Sequence, residues 1–142
     1  MQINTIKQTS NDLKKLYDIG ISILARLKHY LIYELGDHLE IKQDSQSDFL
    51  VTYYGYPLLF RINLSIGIPQ SQNPYMPITT SGQIAAYLQP YDAKPIDAPS
   101  DIHYSFDKNG TINTNLTTED FAQQFVLDVF EKVLKGNLIL RP

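Results

Sequence analysis

Between Phe49 and Ile66 the chain reads FLVTYYGYPLLFRINLSI, and its second half alternates Leu58, Phe60, Ile62, Leu64 and Ile66 with Leu59, Arg61, Asn63 and Ser65. A period of two is that of a β-strand, so five large apolar side chains are expected on one face and a largely polar set on the other. Phe49 to Tyr54 is rich in aromatic and β-branched residues, and Gly55-Tyr56 between the two runs predicts an antiparallel hairpin whose turn ends at Pro57. The rest of the chain has to cover the apolar face of that hairpin.

Two segments have the period to do so. Leu13, Leu16, Tyr17, Gly20, Ile23, Leu24, Leu27, Tyr30 and Leu31 recur at helical spacing, which predicts a first helix capped at Ser10 or Asn11 and ending at Gly36. Gly20 falls inside that stripe, where a missing side chain lets helix and sheet backbones approach closely. Ile19, Ile21, Ile32 and Tyr33 lie off the stripe and give this helix a second apolar side. Near the C-terminus Phe121, Ala122, Phe125, Val126, Val129, Phe130, Val133 and Leu134 predict a second helix, with Thr117 or Thr118 as its cap and Gly136 as its stop.

The remaining strands are read from alternation and turn chemistry. Leu39 to Gln43 forms a first strand, and Asp44 to Asp48 a polar turn into the central hairpin. Ile84 to Leu88 is a short strand, and Ile102 to Phe106 pairs through Asp107-Lys108-Asn109-Gly110 with Thr111 to Asn115. Proline-punctuated connections are expected at Gly67 to Gly82 and Gln89 to Ser100. The expectation is a single α+β domain over residues 1–142, with an antiparallel sheet of about five or six strands and both helices packed on one face.

Several chemistries lack their residues. Without cysteine there is no disulfide or thiolate metal site, and His29, His38 and His103 are spread over different elements, so no metal site is expected. Asp107 to Ile112 resembles the middle of an EF-hand loop, but Ser105 stands at its first ligand position and Leu116 at its last, so the segment is read as a hairpin turn. There is no nucleophile elbow, Walker A loop or dinucleotide fingerprint, and neither a cofactor nor an enzymatic activity is expected. A formal charge of −3 without charge blocks argues against nucleic acid as a partner. The start of the chain does not look like a signal peptide and no apolar run approaches the ~20 residues that cross a membrane, so a soluble cytoplasmic protein is expected.

Ten tyrosines and no tryptophan set the composition apart, because tyrosine joins an apolar ring to a polar tip and serves interfaces well. In an up-and-down meander one end of the sheet collects Asp37, His38, Tyr54, Tyr56 and Tyr91 beside the start of the second helix, whose unpaired N–H groups attract an anion. Tyr75 sits in the long connection at the other end. These six residues are the expected partner-binding set of an interaction module of the inhibitor, immunity, chaperone or adaptor kind, with homodimerisation as one form of it. The alternative is a small-ligand-binding protein or an enzyme with a pocket at one end of the sheet.

Overall fold

The structure, a computed structural model, describes residues 1–67, 78–88, 100–113, 120–136, 140 and 142. Helix α1 (Ile3–Leu35) leads through a 3-10 turn (Gly36–His38) into strands β1 (Leu39–Ser45), β2 (Asp48–Tyr53), β3 (Tyr56–Gly67), β4 (Thr79–Tyr87), β5 (Ile102–Phe106) and β6 (Ile112–Asn113), and helix α2 (Phe121–Leu134) follows. The strands lie in chain order and every neighbouring pair is antiparallel, the meander that the alternation implied. Among the described residues, no helix is long and apolar enough to cross a membrane.

Both helices cover one face of this sheet. Leu16, Gly20, Ile23, Leu24, Leu27 and Leu31 of α1 join Phe121, Phe125, Val129 and Val133 of α2 over Leu58, Phe60 and Ile62 in one continuous core. Phe60 stacks on Phe49 at 5.1 Å between centroids and meets Phe125 at 6.1 Å. Phe106 lies across Gly82, its partner on β4, where the missing side chain leaves room for the ring.

The opposite face is less polar than the alternation implied. Leu59, Ala85 and Tyr87 are buried there as a second small cluster. Around it, Asn63 donates to Gln83 Oε1 at 3.2 Å and to Tyr87 Oη at 3.0 Å, and the Arg61 guanidinium lies 3.7 Å from Asp48 and 5.8 Å from the Tyr87 ring. Leu64 and Ile66, expected in the core, are exposed, because β3 runs on past the region that the helices cover.

Four boundaries move. α1 begins at Ile3 rather than beside Ser10 or Asn11, since a capping-type residue inside a helix costs only about 0.5 kcal/mol and the apolar stripe continues upstream. The central turn is Tyr54-Gly55, one residue earlier than expected, and Pro57 pairs with Thr52 inside β3. β4 starts at Thr79, so the connection before it spans 68–78 only; the Ser65 and Ser81 hydroxyls, 2.6 Å apart, tie the lengthened hairpin. α2 is capped by Asp120, whose carboxylate accepts from Ala122 N at 2.9 Å, instead of by Thr117 or Thr118, which lie outside the described residues. Asp107 to Gly110 is the expected hairpin turn. Its Asp107 carboxylate accepts from Asn109 N at 2.9 Å and Thr111 N at 3.0 Å.

Candidate functional site

Tyr53-Tyr54-Gly55-Tyr56 closes the β2–β3 hairpin with only two residues between paired strands. Both central residues have positive φ, 47° at Tyr54 and 84° at Gly55, the backbone that matches the twist of a two-residue hairpin. Glycine reaches it freely; a tyrosine is disfavoured there by roughly 1 kcal/mol. Tyr54 is the one non-glycine residue with positive φ among the described residues.

Neighbours hold its side chain in place. The antiparallel register sets Leu39 opposite Tyr53, so His38, just before β1, arrives beside Tyr54, and His38 Nδ1 shares a 2.7 Å hydrogen bond with Tyr54 Oη. Tyr53 meets the Tyr54 ring edge-on at 5.0 Å and is itself met edge-on by Phe130 of α2 at 5.4 Å. Tyr54 is nonetheless 44% exposed. It borders a cavity of about 340 Å³ that Asp37, His38, Glu40, Thr52, Gly55 and Pro142 also line. Among the described residues that line it, Asp37 and Glu40 are side-chain carboxylates, which attract a cationic group.

The structure thus brings together Asp37, His38 and Tyr54 of the expected set. Tyr56 differs: it opens β3 on the core side and is 6% exposed, and burial, with the charge of Asp101 second, pushes its hydroxyl above the ordinary tyrosine range. Its side chain belongs to the core and not to the lining of the cavity beside Tyr54. Tyr75 and Tyr91 lie outside the described residues. The sequence reading missed Glu40 and Thr52, which come into view once the turn is shifted by one residue and the β1–β2 register is known.

The start of α2 is not part of this cavity. Asp120 and Ala122 line a separate one of about 510 Å³ with Ala25, Arg26, His29, Tyr30 and Tyr33 of α1. Here the Arg26 guanidinium lies 4.6 Å from the centre of the Phe121 ring, and the Tyr30 hydroxyl is pushed up by burial, then by Glu34 and Asp120. The Asp120 carboxylate already accepts from Ala122 N in the first turn, and the helix start expected beside Tyr54 lines this cavity rather than the one that Tyr54 borders. Among the described residues, no group of three or more histidine and acidic side chains is placed to hold a metal ion. Comparison with protein-family models, with curated protein sequences and with solved structures gives no match to this chain.

Proposed function

We propose that this chain is a cytoplasmic protein–protein interaction module that recognises another protein through the sheet end bearing Tyr54, His38 and Asp37. The observation that carries the reading is the backbone of Tyr54. An aromatic residue stands at a left-handed turn position suited to glycine or asparagine, and its ring is half exposed and held by His38 and Tyr53. Strain kept at an exposed, pre-positioned aromatic side chain is a mark of a binding residue rather than of a packing one. The neighbouring carboxylates Asp37 and Glu40 suit a partner that offers a lysine or arginine beside an apolar patch.

A photo-crosslinking residue at position 54 tests this. A single protein crosslinked from host extract, and lost when His38 is replaced by alanine, supports the reading; a crosslinker at 54 that captures nothing while one at Tyr33 does would overturn it. The second reading, a small-ligand-binding protein, is favoured by the 510 Å³ cavity between α1 and α2, a size that suits a small organic molecule. A metabolite that raises the melting temperature of the wild type and not of Arg26→Ala would support it.

A further inference from the structure

Arg26, His29, Tyr30 and Tyr33 recur along α1 at the i, i+3, i+4 and i+7 spacing that puts side chains on one side of a helix. With Ala25 of the same helix and Asp120 and Ala122 at the start of α2, they line the cavity of about 510 Å³ between the two helices. Arg26, His29 and Tyr33 are exposed and Tyr30 is half-buried, so the cavity opens to solvent along α1. Its volume suits a molecule of one or two rings.

The charged groups of this cavity are committed to different degrees. Asp120 is the carboxylate among the described residues that line it. It accepts from Ala122 N, where the positive end of the α2 dipole balances its charge. Arg26 is held by a ring instead. Its guanidinium lies 4.6 Å from the centre of the Phe121 ring, and no carboxylate among the described residues forms an ion pair with it. A ring against the face of a guanidinium steadies its plane and leaves the N–H edges available for a two-point contact with a carboxylate. Burial, then the charges of Glu34 and Asp120, push the Tyr30 hydroxyl above the ordinary tyrosine range. Negative charge already gathers near that hydroxyl, so the acid end of a ligand belongs at Arg26.

The remaining wall is apolar and flat, made by the rings of Tyr30 and Tyr33 with Ala25 and Ala122. We propose that this cavity binds a small aromatic carboxylate, its acid group paired with Arg26 and its ring against the tyrosines. A phosphate ester fits less well, because its second charge has no further guanidinium among the described lining residues and meets Asp120 in the same cavity. The proposal deepens the small-ligand reading of this cavity. It does not rest on the reading given to Tyr54, which borders the other cavity.

The test is calorimetric titration of the full chain with benzoate, 2-naphthoate and indole-3-acetate, each beside its primary amide. At least one acid is expected to bind with a submillimolar Kd and about tenfold more tightly than its amide. Arg26→Gln keeps a polar side chain at an exposed position and is expected to remove that preference with little change in melting temperature. Tyr33→Ala should weaken acid and amide alike, and Tyr54→Asn should change neither. Equal affinity for acid and amide, or a preference that survives Arg26→Gln, would overturn the carboxylate assignment; the small-ligand reading would stand if Tyr33→Ala still weakened both. No binding of any acid or amide at millimolar concentration would overturn the two together.

Discussion

The backbone of Gly20 lies so close to Ile62 that a Cβ placed on it would stand 2.8 Å from the Ile62 Cγ2 methyl and 3.0 Å from Phe106 Cζ. Helix α1 therefore sits on the sheet at a depth that only glycine permits. In an exposed helix Gly→Ala gains about 1 kcal/mol. Here the methyl meets a β-branched side chain that cannot swing away, and overpacking costs of about 1–3 kcal/mol act against that gain. Gly20→Ala is expected to lower the urea midpoint, whereas Ala25→Gly should do so only by the propensity difference.

Phe60 and Asn63 test the two faces of β3. Phe60 is fully buried between Phe49 and Phe125, so Phe60→Ala should cost about 3–5 kcal/mol in urea unfolding. Asn63 makes two part-buried hydrogen bonds on the other face, and Asn63→Ala should cost about 1 kcal/mol.

Tyr104 sets an alkaline limit on stability. Its hydroxyl donates to Asp128, and burial first, then that hydrogen bond and the carboxylate's charge, hold the phenol protonated well above the ordinary value of 10.0. The unfolded chain loses this proton near the ordinary value while the folded chain keeps it. The stabilisation is therefore complete below about pH 10 and declines above it, by at most about 1.4 kcal/mol per pH unit for this phenol. Tyr104→Phe should flatten that decline. A wild type equally stable at pH 9 and 11 would contradict the assignment.

Asp107 closes the β5–β6 turn by accepting two backbone N–H groups. Asp107→Ala should lower stability by about 1 kcal/mol, and Asp107→Asn, which keeps an acceptor oxygen, by less.

The period of two in β3 and of three to four in the helices was enough to give the α+β class, the meander and the core pairing of Phe60 with Phe125. What stayed hidden depends on register and on interactions distant in sequence. Gly55-Tyr56 and Tyr54-Gly55 are both acceptable turn centres by composition, and only the Tyr53–Tyr56 pairing chooses between them. That choice decides which tyrosine is exposed: Tyr54 leaves the strand and Tyr56 enters the core. Thr79 to Gly82 reads as loop by composition and becomes strand because β3 offers it a ladder. Of the site, Asp37, His38 and Tyr54 were legible from the meander, but the Asp120 cap and the separate cavity at the start of α2 depend on how α2 crosses α1, which no local pattern records.

The measurement that bears most directly on the central claim uses Tyr54→Asn. Asparagine accepts the left-handed turn, so relief of about 1 kcal/mol of backbone cost should offset the lost ring contacts and the bond to His38, leaving the urea midpoint close to that of the wild type. Quantitative recovery of bound protein from host extract, measured in parallel, should fall by the equivalent of more than about 1 kcal/mol of affinity. A Tyr54→Asn protein that loses several kcal/mol of stability while its folded fraction recovers partner as well as the wild type would contradict the account and make Tyr54 a structural residue.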